Sequence, residues 1–242
     1  MFLYHRTQGF VLKKENRGEA DQLFTVFTKD FGKIVVLAKA VRKPSSKLRG
    51  AIDVFYLSEI EFIQGKIQKT LTGALLVENF FGIRKNLLKL RLAYSFSKIF
   101  CGLVRDQESD DNLWLMLKKF FFKLNQEELV PAKASLFYHF FFWKFLSLLG
   151  YRPELDKCLY CRKQTFSAQV FWAVKEGGLV CKNCLNKVKT KVGKLDAGLV
   201  KTLKIFLDQD WEALKALKIE PEPLQDLKII SRHYLYHIFE GK

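Results

Sequence analysis

Residues 9–40, "GFVLKKENRGEADQLFTVFTKDFGKIVVLAKA", decide the fold. Three runs within it, "GFVLKK", "QLFTVFT" and "KIVVLAKA", are rich in β-branched and aromatic residues, and many positions alternate apolar with polar. Alternation is the period of a strand with one buried face. "NRG" (16–18) and "KDFGK" (29–33) separate the runs with residues that suit tight turns. The pattern continues through "VFYLSEIEFI" (54–63), "QGK" (64–66) and "IQKTLTGALLVE" (67–78). Five short strands at this spacing predict a small closed β-barrel of the OB type, with a five-stranded sandwich as the alternative.

Between the third and fourth runs lies "AKAVRKPSSKLRG" (38–50), which carries Lys39, Arg42, Lys43, Lys47 and Arg49. No acid occurs from Phe31 to Ile52. A loop of this kind, projecting between barrel strands, can follow a phosphate backbone while barrel aromatics stack on bases. The whole chain points the same way: 41 Lys+Arg against 25 Asp+Glu give a net charge of +16. Such an excess favours a polyanionic partner, nucleic acid or an anionic membrane surface. Two more stretches are one-signed: Arg84, Lys85, Lys89, Arg91 and Lys98, and Lys182, Lys187, Lys189, Lys191 and Lys194.

After Phe80 the pattern becomes helical. Leu87 to about Arg105, Asn112 to Asn125, and Pro131 to about Leu149 read as three helices, the last apolar almost all round and therefore central. "FFFWKF" in that helix reads as core packing. At Ala134 to Gly150 the apolar run is short for a bilayer span and contains His139 and Lys144, so no membrane span is expected. The N-terminus turns polar before a signal-length apolar run could form, which predicts a cytoplasmic protein. Helical signals resume near Asp196 and end in "LQDLKIISRHYLYHIFE".

Residues 158–184 interrupt the helices. Cys158-x-x-Cys161 and Cys181-x-x-Cys184 have zinc spacing, because each pair turns two thiolates toward one point. Four thiolates leave no open coordination position, so the expected role is one structural Zn2+ per chain rather than a catalytic metal. Disulfides and a redox dithiol are the alternatives, disfavoured by the expected compartment and by two matched pairs. Residues 157–194 hold few large apolar groups, and a metal would supply what a core cannot. The fifth cysteine, Cys101, reads as core. These readings divide the chain into an OB-fold nucleic-acid-binding domain (1–79), a helical domain in two parts (80–157 and 185–242) and a zinc-binding element (158–184).

Catalytic patterns are missing from the sequence. Each Gly-Lys pair lacks the glycine five residues earlier that a Walker phosphate loop needs, and "HYLYH" lacks the glutamate of the zinc-protease motif. No G-x-S-x-G occurs. The expectation is a protein that is not an enzyme.

With these residues assembled, the chain resembles a known family, the bacterial recombination mediator and DNA repair protein RecO. The N-terminal match runs through the Gly-x-Val-Leu strand, Gly18-Glu19-x-Asp21, Thr28, Gly32, Ala38-Lys39, Arg42-Lys43 and Ser45 or Ser46. The order then continues with a helical domain interrupted by Cys-x-x-Cys, Gly-Gly and Cys-x-x-Cys. Two departures stand out: Ala40, where the family often has glycine, and "IDVF", where Gln-Pro-Phe is commoner. The resemblance implies α+β architecture with an OB fold, and binding of single- and double-stranded DNA in the nucleoid. It also implies annealing of complementary strands, pairing with RecR, recognition of the acidic C-terminal tail of single-stranded DNA-binding protein, and help in loading RecA. An acidic, aromatic-ended tail suits an apolar surface flanked by cations on the helices between Phe80 and Gly150. The competing class is a zinc-containing RNA-binding or transcription accessory protein with an OB fold.

Overall fold

The computed structural model describes residues 3–165, 169–190, 192–215 and 222–240. They gather into two compact units, Met1–Leu129 and Val130–Lys242.

In the first unit, β1 (Leu3–Arg17), β2 (Asp21–Thr28), β3 (Gly32–Ala38), β4 (Leu57–Gln64) and β5 (Lys69–Glu78) close into a barrel of order β1-β2-β3-β5-β4. All pairs are antiparallel except β3 with β5. This is the OB fold expected from the strand pattern. β1 begins at Leu3, six residues before the first run read as a strand. Its first half, Leu3–Phe10, pairs with Gln64–Leu57 of β4, and its second half pairs with β2. A bulge between Val11 and Lys13 bends the strand from one partner to the next. Leu3–Gln8 have no alternating pattern of their own, so β4 imposes their extended form.

Inside the barrel, Val11, Phe24, Val26, Ile34, Val36, Ile60, Phe62 and Leu71 form one buried cluster. The β2–β3 turn closes on Thr28, whose Oγ1 accepts from Phe31 N–H and donates to the Gly32 carbonyl. Gly32 is required twice over: φ is +61°, and a Cβ there would lie 2.2 Å from the Glu108 carbonyl oxygen.

α1 (Phe81–Arg84), α2 (Leu87–Leu103) and α3 (Asp111–Gln126) pack on the outside of this barrel. Neighbouring residues of β1 and β2 face opposite ways, so Phe10 and Phe27 point outward. Phe10 lies 5.1 Å from Trp114 and 5.2 Å from Phe121, and Phe27 lies 4.9 Å from Phe100, centroid to centroid. Two largely buried lysines tie helix ends down. Lys33 Nζ donates to the Cys101 and Val104 carbonyls at the end of α2, and Lys89 Nζ donates to the Asn125 carbonyl at the end of α3.

The second unit is built on α4 (Pro131–Leu148), with α5 (Ala197–Asp208), α6 (Trp211–Lys215) and α7 (Glu222–Glu240). Phe137, Phe140, Phe141, Phe142, Trp143 and Phe145 of α4 are buried, as core packing requires. Among the described residues no helix is long and apolar enough to cross a membrane. A three-stranded sheet completes the unit: β6 (Val170–Ala173), β7 (Gly178–Cys181) and β8 (Val192–Leu195), in the order β7-β6-β8. Trp172 of β6 joins the sheet to the helices, edge-on to Trp143 at 6.1 Å and to Tyr234 at 5.6 Å.

Candidate nucleic-acid interface and metal centre

Between β3 and β4 the chain folds into a succession of tight turns held from inside by Val41 and Ile52, which join the barrel core, with Leu48 packed against it. The loop's first end is fixed by β2 and the preceding turn: Ala40 N–H donates to Asp21 Oδ1 at 2.7 Å, and Arg42 N–H donates to the Ala20 carbonyl at 3.0 Å. Its far end is fixed by Asp53, which accepts from Lys14 Nζ at 2.5 Å and from Arg84 at 3.3 Å. Burial opposes ionisation of Asp53. The Lys14 hydrogen bond, the Val54 N–H and the two cations outweigh it and hold the carboxyl below the usual carboxylate range.

Ala40 has φ +53°, the left-handed region in which glycine costs least. Glycine would sit here without that cost, and this chain carries the strain in an alanine.

Lys39, Arg42, Lys43, Lys47 and Arg49 are all exposed, and none has an ion-pair partner among the described residues. Arg42 differs from the other four. Its Nη1 donates to the Glu19 carbonyl at 2.9 Å and lies 3.4 Å from that of Gly18, so it clasps the β1–β2 turn. Four of the barrel's phenylalanines are closed to base stacking: Phe10, Phe24, Phe27 and Phe62 are buried, because alternation puts them into one core or the other. Tyr4, at the start of β1, is an open aromatic of the barrel, 70% exposed.

The second basic stretch divides by role. Arg84 contacts Asp53 and the Val54 carbonyl and lies 4.4 Å from the Tyr56 ring centroid, while Lys89 is buried against α3. Burial pushes the Lys89 pKa down, against the pull of Glu127 and Glu128. Both side chains are committed to the fold. Lys85, Arg91 and Lys98 remain exposed, with Lys85 Nζ 4.3 Å from the centroid of an exposed Phe81. In the third stretch Lys182, Lys187, Lys189 and Lys194 are exposed; Lys191 lies outside the described residues.

Cys158, Cys161, Cys181 and Cys184 come together with all four Sγ atoms within 4.8 Å of one another. A tetrahedral ion with Zn–S of about 2.3 Å needs sulfurs about 3.8 Å apart. Cys161 and Cys181 Sγ are 3.7 Å apart, so the set fits a thiolate-bound metal. Chain geometry explains the convergence. Gly177 has φ +71° in the β6–β7 turn, and at Gly178 a Cβ would lie 2.8 Å from the Glu154 carbonyl oxygen, so β7 can approach the first cysteine pair. Cys158 N–H donates to the Lys163 carbonyl and Arg162 N–H to the Cys158 carbonyl, curling that pair into a knuckle.

Electrostatics favour anionic sulfur at one position and oppose it at another. Burial resists ionisation of Cys158, but N–H donors of Cys161, Cys181 and Tyr160 bring it down to about 6. Cys184 is pushed up to about 12, by burial and by the three sulfurs beside it. A divalent cation would relieve that crowding by stabilising all four thiolates together. The buried cluster around the cysteines is small, with Ala173, Val180 and the partly buried Leu159, Val188 and Val192. Cys101, remote in sequence, is an ordinary thiol raised to about 11, chiefly by burial.

Two family models together match almost the whole chain. "Recombination protein O N terminal" matches residues 1–80, and "Recombination protein O C terminal" matches residues 84–241. The chain belongs to the RecO family. A DNA repair protein RecO of Dehalococcoides mccartyi is 27% identical over 236 residues, covering 97% of this chain and 90% of that protein. Those of Halalkalibacterium halodurans (27% over 239 residues, 99% and 91%) and Desulforamulus reducens (29% over 239 residues, 98% and 91%) are similarly related. Membership of the RecO family gives the protein a role in DNA repair.

Proposed function

We propose that this protein is a non-enzymatic recombination mediator that binds single- and double-stranded DNA and anneals complementary strands. It pairs with RecR, recognises the acidic C-terminal tail of single-stranded DNA-binding protein, and helps RecA load on coated strands in the cytoplasm, at the nucleoid. Its working parts are the barrel of residues 1–79, the helices of 80–157 and 185–242, and the metal element of 158–184. One observation carries the reading: a loop anchored at both ends to the barrel holds five cations in solvent without acid partners. Annealing needs cationic surfaces that offset phosphate repulsion and no nucleotide hydrolysis. Lys39, Lys43, Lys47 and Arg49 are the freest to meet phosphates, and Arg42 adds to them while holding the turn. Such contacts position DNA without reading its sequence. The tail belongs on the helices after Phe80, where Phe81, Lys85 and Leu87 present apolar and cationic groups together.

Zn2+, one per chain, is the ion that suits four thiolates, held by Cys158, Cys161, Cys181 and Cys184. It supplies cross-linking and charge stabilisation, and with four protein ligands it has no position for a substrate.

The test is annealing of complementary strands coated with single-stranded DNA-binding protein. Lys43→Ala/Lys47→Ala/Arg49→Ala should anneal more slowly than wild type while unfolding at the same temperature. Arg42→Ala/Lys43→Ala should also be slower, with some loosening of the β1–β2 turn. Equal rates in all three proteins would refute the role of the loop. A preference for structured RNA over single-stranded DNA in competition would instead favour an RNA-binding accessory protein.

A further inference from the structure

Residues 157–163 and 182–189, the two segments that carry the cysteine pairs, contain Lys157, Arg162, Lys163, Lys182, Lys187 and Lys189 and no acid. Residues 130–242 hold 19 Lys+Arg against 11 Asp+Glu, a net of +8, so these short segments account for six of its eight excess charges. All six side chains are exposed. Among the described residues only Arg162 has an acid partner, Glu154 at 3.7 Å.

Counter-charge for the metal site explains part of this but not its extent. Four thiolates around a divalent ion carry a net charge of about −2, which two cations would balance. Cys158 is already served by backbone N–H groups, and no lysine donates to a cysteine sulfur among the described residues. At least four cations are thus surplus to the sulfur cluster. Arg162 also sits at φ +60°, where glycine would cost less.

We propose that the metal element is itself a second contact for single-stranded DNA, its lysines meeting phosphates on a scaffold that the metal keeps rigid. This rests on the DNA-binding reading given above and extends it to a second surface. The neighbouring apolar groups decide between nucleic acid and an anionic membrane. Leu159 and Val188 pack against the cysteine cluster, so these two apolar side chains are turned away from a lipid surface. Tyr160, 37% exposed between the first two cysteines, instead offers a ring on which a base can stack beside the cations.

Salt dependence of single-stranded DNA affinity tests the proposal on the full-length protein, with metal content measured for every variant. Lys182→Gln/Lys187→Gln/Lys189→Gln should keep its metal and lower the slope of log affinity against log salt by about 2. At 0.1 M salt its binding should weaken about fivefold for each lysine–phosphate pair removed. Lys182→Arg/Lys187→Arg/Lys189→Arg should restore both. Tyr160→Ala should weaken binding with little change in slope. The loop variant Lys43→Ala/Lys47→Ala/Arg49→Ala runs in parallel. If the loop variant loses slope and the glutamine variant does not, the second contact is refuted and the DNA reading stands. Wild-type protein that fails to bind DNA overturns both. Loss of metal from the glutamine variant with an unchanged slope would make the lysines counter-charges for the thiolates, and binding to anionic vesicles but not DNA would make the surface a membrane contact; either result overturns the proposal.

Discussion

The loop at residues 39–56 and the cysteine element at 157–189 both hold exposed cations, on supports of different kinds. Val41, Ile52 and Leu48 root the loop in a large barrel core, and Asp21 and Asp53 pin its ends. Around its four sulfurs the element has only a few small or half-buried apolar groups, although Trp172 and Leu179 of its sheet are buried. A cationic surface self-repels, so each must be held by something other than its own charge. In one case that is apolar burial; in the other it is four cysteines placed to hold a metal.

Removing the metal should therefore separate the two regions, with the largest effect expected here. Chelation, or Cys158→Ser, removes a contribution on the order of 10 kcal/mol as judged from small zinc peptides. Amides of β6 and β7 should then exchange freely with deuterium, while those of β2 and β3 keep their protection. Metal-replete wild-type protein should contain one zinc per chain, and an element that stays protected without metal would show that its small core suffices.

Acid gives a second, smaller separation. His139 in α4 is buried, Nδ1 has no hydrogen-bond partner among the described residues, and burial, with a further push from Lys228, lowers its pKa to about 4. Between about 4 and the ordinary 6.5 the unfolded chain binds a proton that the folded chain does not. Stability is full above about 6.5 and falls as pH drops toward 4, by roughly 3 kcal/mol in total. The second unit should thus unfold first on acidification, and His139→Leu should flatten its pH dependence between those values in denaturant titrations. An unchanged dependence would show that the imidazole is not the titrating group.

How much of this was legible depends on whether the deciding interaction is local. Strands after Gly9 announce themselves by alternation, and the cysteine pairs by spacing. Leu3–Gln8 were hidden because their pairing partner lies more than fifty residues away. The packing of Phe10 and Phe27 against Trp114, Phe121 and Phe100 was hidden too, since periodicity shows that a face is buried but not against what. Cations were the least legible: Lys33, Arg84 and Lys89 look like solvent-facing charge in the sequence, and only their neighbours show them bonded to carbonyls and Asp53. The same limit applied to Arg42, which serves the turn as well as the surface.

The smallest test concerns the loop's support. Ala40→Gly should relieve the left-handed strain and stabilise the first unit by about 0.5–1 kcal/mol, seen as a small rise in its melting temperature. A fall would mean that the alanine methyl packs in a way that outweighs its backbone cost.

The most direct measurement is the salt dependence of single-stranded DNA affinity for Lys43→Ala/Lys47→Ala/Arg49→Ala beside wild type. Without these three cations to meet phosphates, the slope of log affinity against log salt should become shallower by about 2, with stability unchanged within about 0.5 kcal/mol. Superimposable slopes in a well-folded variant would contradict the assignment of the loop to DNA.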